Sequence, residues 1–492
     1  MLRKIPFVVI LLSACGGTID PVEQHAAVTA VDHGRDLWLH ATFGGEKFFS
    51  LILPNAPFNL PLGFDAVLTS SRDTRFRDWG VINDPDCVAG DASTGGLDKC
   101  SDPTSSGVVG IRRINGLFGV ACAGCHAGLD PSNPPADPNH PDWSNIHLTV
   151  GNQYLDTGKI FRAHLSPHDP RWQVFNSWAP GTVDTTAIEN DGINNPGIIT
   201  QFFDFPERPF FGVTQGSVSM SAHRAGQGGE DDFGCERAAL RVYFNIGMCA
   251  AECMLPHLGP PQTPIDLTEC ESRCPDLLQA EASVGDLCQF MFSTTPPALA
   301  GAPGGSAYVD QRVVAHGAKV FAAACASCHG GAVLSDDLPH PASQIGTNPC
   351  RSKTTNWTAG HIWAEFSSDQ YKARGPGYYR DVPLQALWAT APFLHNNRLG
   401  AFNGDPSVAG RIAAYEASMD LLLNPWKRSL SIDLTTDFVL LPTFPYFFPK
   451  DTPVVAFNQG LCNDPFESEG HYFGALLSPA DKYALKEFLK TQ

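Results

Sequence analysis

The stretch Phe321-Ala322-Ala323-Ala324-Cys325-Ala326-Ser327-Cys328-His329-Gly330 decides how the rest of the chain reads. Two cysteines three apart, followed at once by a histidine, form the C-x-x-C-H pattern of c-type haem attachment. The thiols add across the vinyl groups of the porphyrin as thioethers, and His329 then stands on the proximal side of the iron. One turn of chain must bring both sulfurs to one edge of the ring, and the spacing serves that need. Val313, Val314, Gly317, Val320, Phe321 and Ala324 are apolar or small at helical spacing, so a helix is predicted to lead into the motif. A second copy lies earlier, at Cys122-Ala123-Gly124-Cys125-His126. Two copies point to two covalently bound haem c groups, with His126 and His329 as iron ligands. The bland alternative is two reduced or disulfide-bonded C-x-x-C pairs beside unrelated histidines.

The chain has 492 residues, enough for two or three domains. With 40 Pro, 46 Gly and only 17% charged residues, it predicts loops and short elements rather than long exposed helices. A formal charge of −18 argues against nucleic acid as a partner and is compatible with a cationic redox partner. Residues 1–15 read as an export signal, with Arg3 and Lys4 as the basic start and Ile5 to Leu12 as the short apolar core. Leu12-Ser13-Ala14-Cys15 resembles a bacterial lipobox, which makes Cys15 the expected lipidation site. The following Gly16 and Gly17, with no Asp, point to the outer membrane. The rival is a plain secretory signal with a fortuitous cysteine. No later run approaches the roughly 18 apolar residues of a membrane span. The expected body is therefore periplasm-facing and touches the membrane only through its lipid anchor.

Of the fifteen cysteines, Cys15 and the four motif cysteines set aside, an even number remains. In an oxidising compartment that predicts five disulfides. Cys249 and Cys253 are i and i+4, as are Cys270 and Cys274, so each pair lies on one helix face. Two antiparallel helices joined by a Pro-rich loop at 256–264 would bond Cys249 to Cys274 and Cys253 to Cys270. A zinc site is the alternative. Cys235 with Cys288, Cys87 with Cys100 and Cys350 with Cys462 complete the expected set.

The expected fold is mainly α: two cytochrome c-like haem domains with loop-rich insertions and a disulfide-stapled helical hairpin. After the signal, 16–104 form an N-terminal extension of weak periodicity, packed on the first haem domain. That domain spans 105–300, with a cysteine-rich insertion at 235–290. Pro296 to Gly305 is the linker candidate, and the second haem domain covers 306–492. The last helix is marked by Ser478 as N-cap, Pro479 at N1 and Asp481 at N3. Ala484, Leu485, Phe488 and Leu489 form its apolar face, expected to cross the helix before the second motif. Residues 435–456 read as an extended hairpin.

Two such motifs joined by a linker resemble the bacterial di-haem cytochrome c peroxidase superfamily. Asp381 to Leu399 is similar to that superfamily's segment after the second haem, in Val382, Pro383, Leu384, Ala389, Thr390, Ala391, Pro392, Phe393, Leu394 and His395. Ser468-Glu469-Gly470-His471, ahead of the last helix, resembles the rubber-oxygenase-like branch. Trp178 to Asp184 and Val108 to Asn115 match more loosely. The likeness covers about 105–490 and leaves out the cysteine hairpin and the N-terminal extension.

Each iron needs a sixth-ligand assignment, because two strong protein ligands make an electron carrier and an open position binds oxygen or peroxide. For the second haem the candidates are His340, His361, His395, His471 and Met419. The resemblance implies His471, the histidine before the last helix, with His395 second and expected at the haem edge or a propionate. Met419 shares a predicted helix with Ile412, Tyr415, Leu422 and Leu423 and reads as core. For the first haem, His140, His147, His164 and His168 are near in sequence, but none fits a motif, so an open or weakly held site is expected. Distal chemistry would need an acid/base and a cation, for which His223 with Arg224, or Glu236 with Arg237, are candidates. Trp178, Trp357 and Trp388 are candidates for tunnelling between the haems. The superfamily often holds calcium between domains, although no acidic loop motif supports Ca2+ here. The implied function is reduction of peroxide or activation of oxygen at the first haem, with electrons from a periplasmic donor relayed by the second. The alternatives are a non-enzymatic electron-transfer cytochrome and an oxygenase acting on a hydrophobic substrate.

Overall fold

The structure is a computed structural model and describes residues 21–56, 58–183, 196–203, 235–257, 263–331, 334–335, 339–347, 378–381, 383–428 and 468–492. Cys15, His223, Arg224, Cys350, Trp357, His361, Cys462 and the expected hairpin at 435–456 lie outside the described residues. The architecture is mainly α, with short two-stranded antiparallel ribbons between the helices. Among the described residues, no helix is long and apolar enough to cross a membrane.

Residues 21–40, where the sequence shows little periodicity, form one helix, Pro21–His40. Its last turns bury Leu37, Trp38 and Leu39 in succession, so burial wraps around the helix and no single apolar stripe appears. The helix packs along Val284–Phe292, with His33 Nδ1 2.7 Å from Asp286. Trp38, Phe48 and Phe64 join Cys122, Tyr243 and Leu287 in one apolar core. The N-terminal segment is thus part of the wall around the first motif.

The chain enters that motif through a hairpin of Ile111–Ile114 and Leu117–Val120. Asn115 and Gly116 form its turn, both with positive φ (52° and 83°), as a two-residue type I′ loop requires. The Ala121 N–H then donates to Gly110 O at 2.7 Å and seats the start of the motif on the hairpin.

Four disulfides join Cys87 to Cys100, Cys235 to Cys288, Cys249 to Cys274 and Cys253 to Cys270, as the sequence predicts. The helical hairpin itself is shorter than expected. The i, i+4 backbone bonds are present, from Cys253 N to Cys249 O at 2.8 Å and from Cys274 N to Cys270 O at 2.9 Å. The segments, however, are single turns, Ala250–Met254 and Leu267–Glu271, with Cys249 and Cys274 at helix ends. Pro256, Pro264 and Pro275 punctuate this region and stop longer helices from forming.

The second core gathers residues from Leu299 to Leu489 together with Val150 and Phe203 of the first half. Helix Gln311–Ala324 is capped by Asp310, which accepts from Arg312 N at 3.1 Å, and it delivers the chain directly to Cys325. The final helix, Pro479–Leu489, starts as predicted, with Ser478 Oγ accepting from Asp481 N at 3.2 Å. The two helices cross at Gly317, where a Cβ would stand 2.0 Å from Ala484 O. Only glycine permits that approach. Phe321 and Phe488 meet beside the crossing with ring centres 5.3 Å apart. Beneath them, helix Val408–Leu423 buries Ile412, Tyr415 and Met419, each such side chain contributing about 1.5–3 kcal/mol.

The two halves are joined by buried polar contacts. Asn397 Nδ2 donates to Gln153 Oε1 at 2.9 Å, Arg411 donates to the Tyr154 hydroxyl at 3.0 Å, and Ile198 N donates to His395 O at 2.9 Å. Leaving such groups unpaired in a buried interface would cost about 1–3 kcal/mol each, so these contacts fix the relative placement of the halves.

Candidate functional site

At the first motif, residues Ala123–His126 form one helical turn. The Nδ1–H of His126 donates to Thr200 O at 2.9 Å. A carbonyl can only accept, so this bond sets the tautomer and leaves the Nε2 lone pair available to a metal. Phe202 and Trp38 pack against the ring at 4.6 and 5.9 Å. Burial pulls the His126 pKa down to about 4, so the imidazole is neutral and able to ligate. Burial also pushes the thiols of Cys122 and Cys125 up to about 11 and 12. Such cysteines are neutral thiols, unlike the low-pKa thiolates of redox-active C-x-x-C pairs. The Tyr243 hydroxyl lies 3.6 Å from Cys122 Sγ, presented by the cysteine-rich insertion.

At the second motif, Ala326–His329 repeat the helical turn. Here the atom behind the histidine is a carboxylate: Asp381 Oδ2 lies 3.6 Å from His329 Nδ1, with the Asp381 side chain buried. Burial likewise raises the Cys325 thiol, to about 11. The turn opens on a cleft whose lining is mostly apolar, including Phe321, Leu387, Leu394, Met419 and Leu485. The space open to the centre of a water molecule there is about 240 Å³. One buried water needs only about 10–15 Å³ by that measure, so the cleft has room for a large apolar group.

His471 faces His329 across this cleft, with ring centres 6.1 Å apart. A metal ion held by two imidazole nitrogens at about 2.0 Å each would set ring centres roughly 6 Å apart. The pair therefore has the separation of two imidazoles that could hold one metal ion between them. His471 itself has positive φ (55°), directly after Gly470 (φ 82°). Gly470 fits against Thr347, where a Cβ would stand 2.1 Å from the backbone N. The His471 N–H donates to Ile345 O at 2.8 Å. Burial holds the His471 pKa below its ordinary value, and the charge of Arg428 lowers it further.

The other candidates sort by position. His395 is buried and stacks on Tyr379 at 5.0 Å, lining the same cleft. His340 also lines it, with Nδ1 3.9 Å from Cys328 Sγ. Met419 is buried in the second core and borders the cleft. In the first half, exposed His140 and His164 bond to Asp73 and Asp65, and His168 is exposed. His147 donates to Thr295 O at 3.0 Å and accepts from Thr149 N at 3.3 Å. Glu236 is exposed in the first turn of Cys235–Asn245, a surface position rather than a pocket one. Trp178 packs with Phe161 and Phe175, and Trp388 donates to Pro297 O at 3.0 Å, so both serve the cores. Among the described residues, only Cys249, Cys253 and Cys270 cluster like metal ligands, and their sulfurs are in disulfides.

One short segment links the two motifs. Thr200 supplies the carbonyl behind His126, Ile198 donates to His395 O, and Ile198 and Gln201 line the second cleft. Neither this segment nor Asp381 as the carboxylate behind His329 follows from local sequence signals. The Asn115-Gly116 turn, by contrast, marks the hairpin before the first motif openly. No protein-family model and no curated protein sequence matches this chain.

Proposed function

We propose that the chain is an exported c-type oxidoreductase carrying two haems, one on each C-x-x-C-H turn, each in a cytochrome c-like half. The reading is the one that the resemblance to the di-haem peroxidase superfamily implies. The observation that carries it is the His329–His471 pair, 6.1 Å apart across an apolar cleft beside Cys325 and Cys328.

Haem c, when attached, supplies one-electron chemistry at an iron of adjustable potential. The chain's own residues do the rest. Cys122 with Cys125, and Cys325 with Cys328, tether the two rings. His126 and His329 offer Nε2 atoms, with the Thr200 carbonyl hydrogen-bonded behind the first ring and the Asp381 carboxylate 3.6 Å behind the second. His471 would join His329 in holding the group at the second site, which would then serve as an electron store. At the first site the bound group would supply peroxide reduction or oxygen activation, with His223 and Arg224 as acid/base and cation. The segment 198–201 joins the two sites. Lipidation at Cys15 anchors the body on the periplasmic side of the outer membrane, within reach of a soluble electron donor.

The test is a haem count on the mature protein, by mass and by the pyridine haemochrome spectrum, followed by carbon monoxide binding to the half-reduced and fully reduced forms. Two covalent haems, of which only the one on Cys122 and Cys125 binds carbon monoxide, support the reading. A mature protein without covalent haem ends it, and two haems that both refuse carbon monoxide leave an electron-transfer cytochrome.

A further inference from the structure

The chain on either side of His471 meets the side chain of Arg428. Arg428 lies just past helix Val408–Leu423, and its guanidinium reaches in two directions. On one side, Nε donates to Leu421 O at 2.9 Å and an Nη to Leu422 O at 3.2 Å. These carbonyls belong to the last turn, where a helix leaves its acceptors unpaired and its dipole favours a cation. On the other side, the second Nη donates to Ser468 O at 2.9 Å and to Gly470 O at 2.7 Å. The same guanidinium covers the Tyr472 ring at 5.3 Å. The residue between Gly470 and Tyr472 is His471.

This loop does not hold its shape unaided. Gly470 and His471 both have positive φ (82° and 55°), which is uncommon for a residue other than glycine. Among the described residues, the His471 N–H bond to Ile345 O fixes one point of the loop. Arg428 adds a further hold, with its planar donors spread over four carbonyls in a way that a lysine ammonium cannot match.

We propose that Arg428 is the positioning residue for the second site's far ligand: it rivets the 468–470 carbonyls to the end of helix Val408–Leu423, keeps His471 opposite His329, and when released opens that site to exogenous ligands. The proposal rests on the reading of His471 as an iron ligand, and the test separates the two.

The experiment uses the full haem-loaded chain as wild type, Arg428→Ala, Arg428→Lys and His471→Gly. It reads the electron paramagnetic resonance spectrum of the second haem, the rate of carbon monoxide binding to the reduced protein, and the effect of added imidazole. Arg428→Ala should give a high-spin fraction at the second haem. It should bind carbon monoxide on the order of tenfold faster or more, as expected when one or more charge-assisted hydrogen bonds are lost. Arg428→Lys should fall between, imidazole should restore the low-spin signal in both, and the first haem should not change. If Arg428→Ala does not fold, Arg428→Lys decides by the same readings. A wild-type spectrum and rate in the folded Arg428 variants, with His471→Gly altered, overturns the positioning role alone. An unaltered spectrum in His471→Gly overturns the ligand reading and the positioning role with it.

Discussion

Asp381 sets its carboxylate 3.6 Å from Nδ1 of His329, whereas the same atom of His126 meets a neutral carbonyl, Thr200 O, at 2.9 Å. A carboxylate behind a ligating imidazole makes it a stronger donor and favours the more oxidised metal. Asp381→Asn should therefore raise the midpoint potential of the second haem by several tens of millivolts and leave the first in place. Spectroelectrochemical titration measures both, and an unchanged second potential would remove Asp381 from the account.

The crossing of helices Gln311–Ala324 and Pro479–Leu489 depends on Gly317. Gly317→Val puts a side chain against the Ala484 carbonyl and the Phe488 Cβ. The expected loss is about 1–3 kcal/mol or more, with the final helix pushed away from the second cleft. Denaturant unfolding reads the loss. A variant as stable as wild type would show that the helices do not meet there.

The Cys253–Cys270 bridge closes a loop with a sequence separation of 17 residues. Replacing both cysteines by serine should cost about 3 kcal/mol. Non-reducing peptide mapping should find Cys249 joined to Cys274 in the same variant, and a Cys249–Cys253 bond in the wild type would contradict the pairing.

His147 contributes a pH dependence. Burial holds its pKa below the ordinary 6.5, against the pull of Asp130 and the bond to Thr295 O. A base whose folded pKa is depressed binds its proton more readily when unfolded, so stability is full above about pH 6.5 and falls as pH drops below it. Unfolding free energies at pH 7.5 and pH 5.5 should show the loss, and His147→Gln should show less of it. An equal loss in the variant would place the titration elsewhere.

What the sequence made legible was local. Both C-x-x-C-H turns, the Ser478–Asp481 cap and the helix leading through Gly317 and Phe321 are patterns of neighbouring residues, and all stand in the structure. The pairing of Cys249 with Cys274 follows from i, i+4 spacing, although the prolines keep the helices to single turns. Helix Pro21–His40 was hidden because Leu37, Trp38 and Leu39 are buried together and break any two-faced pattern. Thr200, Tyr243 and Arg428 carry no motif, and Asp381 opens the 381–399 stretch with no local sign that it stands behind His329. Each makes a contact that exists only after distant segments meet.

The most direct test of the central claim is electron paramagnetic resonance of the fully oxidised and half-reduced protein, which counts high-spin and low-spin irons. The account predicts one low-spin iron with two imidazole ligands, His329 and His471, and a second iron that is high-spin or weakly held. Two high-spin irons, or a second-haem signal that survives His471→Gly unchanged, would contradict it.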